Sequence, residues 1–481
     1  MANIEDFLSK DKSMIIAPAG YGKTHTIMEC LQICNESKKV LILTHTHAGI
    51  ASLKEKMQKG GVSSEKYSME TISSFALQYT EAFHINKLDS PKPEDGSEYF
   101  NFAIITATKL LDAKPLKTVI KSSFSRLIID EYQDCTVLQH KMILALSKIL
   151  PTHILGDPLQ GIFEFRNNPI VDMDSDDEMQ GLNQNIQALS TPWRWNQYGE
   201  INLGRSLTQI RELLLNRNPI NLNSFCPYIK VIIDTENNYL VANSISKQNI
   251  WYELNNKNTD SLLIIHPTST SVDPRIKFVQ QFGVVRLIES IDDKDYYKYS
   301  NYFDNMTEHN LINKILELTK NISSKTVINQ WFNDNGILKN KRSPEDKLLS
   351  MKLQNIINLI TQNKSFKNIA ILISEIVSLP NNKCFRVELK RDMMRALELA
   401  YFENITVYDA MKKNRDILRR VGRKIKGRSI GTTLLTKGLE FDTVIILNAH
   451  LFQNPKHLYV ALTRARKKLV VITQNPILNP Y

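Results

Sequence analysis

The chain has 481 residues, 42% hydrophobic and 23% charged, with a formal net charge of +11 and a pI near 9.1. That length exceeds what one core organises and predicts about three or four domains, while a mean hydropathy of -0.27 describes a soluble globular protein. No stretch reaches the roughly 18 uninterrupted apolar residues of a membrane span, the start M-A-N-I-E-D-F-L lacks the basic and apolar regions of an export signal, and the positive balance favours a polyanionic partner without specifying one.

The five cysteines, Cys30, Cys34, Cys135, Cys226 and Cys384, show no paired metal-ligand spacing. Cys30 and Cys34 stand one helical turn apart and read as small core residues, which suits a reducing cytoplasm.

In chain order, the apolar run Met14–Ile16 leads into A-P-A-G-Y-G-K-T (Ala17 to Thr24), and a helical pattern begins at His25. Strand, glycine-bearing loop and helix in that order form a phosphate loop. Ala19, Gly20 and Gly22 keep the loop small enough for backbone N–H groups to face phosphate oxygens, and the helix N-terminus adds its dipole. Lys23 then reaches the β- and γ-phosphates and Thr24 holds Mg²⁺.

A second strand, Val40–Leu43, runs into L-I-L-T-H-T-H-A (Leu41 to Ala48). T-I-S-S-F follows at Thr71 to Phe75. From Ala76 to Lys121 the pattern is helix-rich, broken by D-S-P-K-P-E-D-G at Asp89 to Gly96.

L-I-I-D-E-Y-Q-D (Leu127 to Asp134) is an apolar strand ending in two acids, which places Asp130 and Glu131 at the carboxyl edge of a parallel sheet. There Asp130 shares the Mg²⁺ with Thr24, and Glu131 polarises the attacking water. In H-I-L-G-D-P-L-Q-G-I-F (His153 to Phe163), Gln160 is placed to sense the γ-phosphate. Phe163 has two readings, core packing or contact with a base. Asp172 to Glu178 reads as a solvated acidic loop.

Later strands are expected at Ile229–Ile233, Leu262–Ile265, Val444–Leu447 and Leu469–Ile472. A mostly helical insertion spans about Val272 to Gly427, with Trp331 and Phe332 as core. The basic run Lys412 to Arg428 reads either as a solvated helix face or as the lining of a nucleic-acid groove.

These segments resemble the UvrD/Rep branch of superfamily 1 helicases. L-S-T-P-W-R-W (Leu189 to Trp195) is similar to the family's fourth motif, which puts Trp193 where an aromatic stacks on adenine and Arg194 where an arginine meets the γ-phosphate. T-T-L-L-T-K-G-L-E-F-D (Thr432 to Asp442) is similar to the fifth, with Gly438 and Glu440 at the nucleotide and Glu440 at the ribose. Y-V-A-L-T-R-A-R (Tyr459 to Arg466) is similar to the sixth, with Arg464 as an arginine finger supplied in cis. The same resemblance gives Thr44, His45, Thr46, His47, Thr71 and Phe75 to single-stranded DNA, together with Phe163. Thr44, Thr46 and His47 would donate to phosphates and His45 would stack on a base; structurally the same residues cap a helix or fill a turn.

The implied fold is α/β, with two RecA-like parallel-sheet motor lobes of the P-loop NTPase class and two mainly helical inserted subdomains. Residues 1–75 and 122–188 form the first lobe with 76–121 inserted, and 189–271 and 428–481 form the second with 272–427 inserted. The implied activity is ATP- and Mg²⁺-dependent translocation on single-stranded or partly duplex DNA, 3′ to 5′ by the family's polarity. The size and the D-E-Y-Q-D and G-D-P-x-Q spellings also resemble the helicase subunit of the Gabija anti-phage system, which implies an OLD-family endonuclease partner. A DNA-responsive ATPase sensor without productive unwinding is the alternative. The chain departs from the family in having no glutamine in its first dozen residues to read adenine. It also has Ser73 and Leu434 where histidines are common, and this leaves nucleotide strictness and coupling unspecified.

Overall fold

The computed structural model describes residues 2–34, 37–83, 97–163, 169–290, 293–307, 310–421, 425 and 427–481. The break at Asp89–Gly96 and the positions Arg423 and Lys424 lie outside them, as do the side chains of Arg419 and Arg420. The chain forms two compact units, Met1–Asn237 with Thr436–Tyr481, and Asn238–Leu435.

The first unit is built on a six-stranded parallel sheet. Its strands are β1 (Lys12–Ile16), β2 (Lys39–Thr44), β3 (Tyr67–Thr71), β4 (Phe124–Ile129), β5 (Thr152–Gly156) and β6 (Ile186–Ala188), in the order β3-β2-β4-β5-β1-β6. Helices cover both faces, so the inner strands need apolar residues on both sides, and β5 is buried along its whole length. Alternate residues serve opposite faces. Ile15, Ile42, Ile128 and Leu155 pack with Ile27, Cys30, Leu31 and Cys34. Met14, Leu41, Leu43, Leu127, Ile129 and Ile154 pack on the other side with Phe75, Tyr79, Ile104 and Ala107. Cys30 and Cys34 are thus core residues. The helices Ile72–Phe83, Ser97–Leu110 and Lys114–Ser123 share this second core with the sheet.

Because all six strands run the same way, the segments beginning at Ala17, Asp130 and Asp157 leave one edge of the sheet together. That convergence positions the site. The same unit also holds three further parallel strands, with Ala465–Thr473 between Phe441–Ile446 and Ile229–Ile233.

In the second unit, Gly427–Gly431 lies between Ser261–Ile265 and Arg286–Leu287, again all parallel. The rest is helical from Asp273 to Val421. The helix Leu311–Ile322 buries Leu311, Ile315, Leu318 and Ile322, a stripe of period near 3.6. Its core contains Trp331 and Phe332, as the sequence suggests. Arg386, fully buried, is matched by Glu289 at 2.8 Å, Asp293 at 3.2 Å and the Asp295 carboxylate, so its charge is compensated where water is absent. The architecture is α/β with parallel sheets and a helical body. No helix among the described residues is long and apolar enough to cross a membrane.

Candidate nucleotide site

The loop after β1 turns through Gly20 (φ +80) and Gly22 (φ +93) before the helix Lys23–Ile33 begins. Both angles lie in the left-handed region that glycine enters without a steric cost. The loop is also crowded: a Cβ on Gly20 would fall 2.9 Å from the Trp195 ring, and one on Gly22 would fall 3.0 Å from Trp193. Gly22 is the helix N-cap with no side-chain cap, so the first N–H groups keep their capacity for an anion.

Lys23 extends to the ends of the neighbouring strands, where its ammonium pairs with Asp130 at 3.2 Å and with the Glu131 carboxylate. Burial alone would lower the Lys23 pKa, but the two carboxylates overcome it and raise it. Asp130 and Glu131 divide that lysine unequally. Burial pushes Asp130 up against the pull of Lys23. Glu131 is pushed down to about 2, because Lys23 and Lys437 together outweigh its burial. Glu131 adopts φ 57 and ψ 42, unusual for a residue with a side chain, and Gln133 Nε2 donates to its carboxylate at 2.5 Å. Thr24 follows on the first helical turn, 3.5 Å from Lys56 Nζ. Asp130 and Thr24 offer hard oxygen ligands of the kind Mg²⁺ takes while keeping several waters. The ammonium of Lys23 already occupies a cation position between the two acids.

Gln160 lies beyond β5, its Nε2 donating to Asp157 at 2.9 Å. Arg194 is brought to the loop through its backbone, whose N–H donates to the Gly20 carbonyl at 2.9 Å. Its guanidinium donates to Glu440 at 2.8 Å and to the Thr463 carbonyl at 2.5 Å. Arg464 is 2% exposed and donates to the carbonyls of Val460 (2.9 Å) and Leu439 (3.2 Å). Burial, with Arg194 close by, lowers it to about 10. Trp193 is exposed beside Gly22, whereas Trp195 is buried with its indole N–H on the Ala465 carbonyl at 2.9 Å. Gly438 turns at φ +79, two residues before Glu440. Residues from Ala19 to Arg464 thus meet in one unit.

The residues assigned to DNA are more dispersed. Thr46 and His47 are exposed, and the Thr46 hydroxyl caps the helix His47–Lys59 by accepting from Gly49 N–H at 3.0 Å. Thr44 is buried at the end of β2. Thr71, also buried, accepts from Ser74 N–H at 3.0 Å. His45 approaches the Cys135 thiol at 3.5 Å and is lowered to about 4 by burial and by Lys437, which keeps it neutral. Phe75 requires a correction. It is 1% exposed and packs 4.7 Å from Tyr79 inside the core, so its ring offers no face to a strand. The apolar position that a helix buries has the same spelling as a base-stacking position. Phe163 is half-buried with the Lys437 ammonium 4.7 Å from its ring.

Lys437 is the residue sequence reasoning passed over. Its ammonium meets both oxygens of Asp134, and it donates to the Gln160 carbonyl at 2.5 Å. Burial raises Asp134 to about 6 even with this partner. Both residues sit inside recognised motifs, and only their contact across 303 positions was hidden. Arg211, which pairs with Asp157 at 2.8 Å, lies outside every motif.

Residues 2–166 match the AAA domain family, and residues 432–472 match the UvrD-like helicase C-terminal domain. One chain of the ATP-dependent helicase/nuclease from Streptococcus uberis is 27% identical over 95 residues, which is 20% of this chain and 8% of that protein. The chain therefore spans only a small part of that relative's length. Among solved structures, the Pif1 helicase from Candida albicans aligns at 11% identity over 99% of this chain and 95% of that one, with a TM-score of 0.43. The PRRSV helicase aligns at 11% identity over 98% and 55%, with a TM-score of 0.33. The two family matches cover the phosphate-loop segment and the fifth and sixth motifs, and they relate these parts of the chain to the UvrD-like superfamily 1 helicases.

Proposed function

We propose that the chain is an ATP-driven DNA motor, a helicase or translocase of the UvrD/Rep type. The observation that carries this reading is the meeting of Lys23, Asp130, Glu131, Arg194, Glu440 and Arg464 in one unit, since hydrolysis needs cations, a water-orienting carboxylate and a phosphate cradle together. Lys23 would leave the two acids for the phosphates, and Asp130 and Thr24 would hold Mg²⁺, which supplies charge neutralisation at the phosphates. Glu131 orients water, Gln160 senses the γ-phosphate, and Arg194 and Arg464 stabilise transferred charge. Trp193 stacks on the base, and Glu440 meets the ribose once Arg194 releases it.

In the proposed division, residues 1–75 and 122–188 and residues 189–271 and 428–481 are motor lobes, and 76–121 and 272–427 are insertions. Translocation is 3′ to 5′ on a single strand held by Thr44, His45, Thr46, His47, Thr71 and Phe163. A cytoplasmic role in phage defence beside an OLD-family endonuclease rests on the Gabija resemblance alone. Co-expression with such a nuclease and co-elution on size exclusion tests it.

ATP hydrolysis with and without single-stranded DNA, followed by strand displacement on 3′- and 5′-tailed duplexes, tests the motor. Stimulated hydrolysis with displacement of the 3′-tailed substrate is expected. Stimulation without displacement of either substrate would favour the sensor reading, and no hydrolysis at all would sink both.

A further inference from the structure

Asp157 is the first residue beyond β5, and it is 1% exposed. One carboxylate oxygen accepts from Arg211 Nη2 at 2.8 Å and from Leu159 N–H at 3.2 Å; the other accepts from Gln160 Nε2 at 2.9 Å. Its own N–H donates to Gln133 Oε1 at 3.1 Å. A Cβ on Gly156 would fall 2.9 Å from that same oxygen, so the hub has no slack. Arg211 is 7% exposed on the helix Ile201–Leu215, with its guanidinium 5.7 Å from the Tyr459 ring. Thr208, one turn earlier, bonds the hydroxyl of Tyr21 in the phosphate loop.

We propose that Arg211 is a positioning residue that acts through Asp157 to hold the Gln160 amide in its working orientation. The inference rests on the hydrolase reading above. A buried carboxylate without its guanidinium is costly and takes up a proton. The protonated acid gains an O–H donor, which faces the Gln160 N–H donor, and the amide must turn or withdraw. Asp157 thereby converts the presence of Arg211 into the placement of Gln160, whose backbone carbonyl also receives Lys437.

A kinetic cycle tests this, with Arg211→Met, Gln160→Ala and the double variant assayed for kcat and for ATP KM. Arg211→Met should lower kcat roughly ten- to hundredfold while KM moves by less than about threefold. In the Gln160→Ala background the same change should cost under about twofold, because groups acting in one chain are non-additive. Arg211→Lys, which keeps the charge but loses the fork, should fall between, and it carries the cycle if Arg211→Met does not fold. Losses that multiply in the double variant, or kcat and nucleotide affinity falling together, would overturn the proposal. A wild type that hydrolyses no ATP would instead strike the hydrolase reading on which it rests.

Discussion

The most consequential residues are those whose charge is decided by neighbours. Glu131 is held ionised at about 2, so it supplies no acid limb to a rate profile between pH 5 and 8. Asp134 does, because burial places it at about 6. Its folded pKa is raised, so it is charged above that value and neutral below. Falling pH removes the counter-charge of Lys437 in the presence of Lys23 and Glu131. Hydrolysis should therefore decline as pH falls through about 6, and Asp134→Asn should flatten that limb at a lower overall rate. An acid limb unchanged in Asp134→Asn would assign it to another group. Glu131→Gln should lower turnover by about two to three orders of magnitude, the scale of one well-placed electrostatic group, while nucleotide still binds; turnover within about threefold of wild type would refute the role of Glu131.

At the scale of elements, the loop and its flanking strands were legible because each local choice agrees with the fold. The apolar runs of β1, β2, β4 and β5 need no partner to be read as buried strands. β3 and β6 were missed for a physical reason. Y-S-M-E-T buries only alternate residues at one edge, and Ile186–Ala188 is a short, largely exposed strand at the other. Lys437 and Arg211 were illegible in a different way, since their roles exist only once distant segments meet. The loop itself yields a test. Gly20→Ala places a Cβ 2.9 Å from Trp195, a fully buried ring, at a backbone angle that costs about 1 kcal/mol or more for a residue with a side chain. The variant should lose about 1–3 kcal/mol of stability by denaturant titration, with nucleotide affinity falling in step. Wild-type stability and affinity would mean that the loop is far less constrained than its packing implies.

For the whole molecule, the net charge of +11 is a statement about association rather than fold. A nucleic-acid motor needs a sequence-independent grip, and a grip on phosphates releases counterions. Each contact on a single strand contributes about -0.7 to the slope of log affinity against log salt. With three or more contacts, affinity for single-stranded DNA should fall about tenfold or more between about 50 and 200 mM salt. Nucleotide binding within the first unit is expected to change little over that range, because buried pairs such as Lys23 and Asp130 are poorly screened. Neutralising Arg419, Arg420, Arg423 and Lys424 together should reduce both affinity and slope and leave basal hydrolysis intact. Fluorescence anisotropy across a salt series separates these outcomes. A slope near zero in the wild type would remove the electrostatic basis of the motor reading. A wild-type slope retained in the fourfold variant would place the strand elsewhere on the chain.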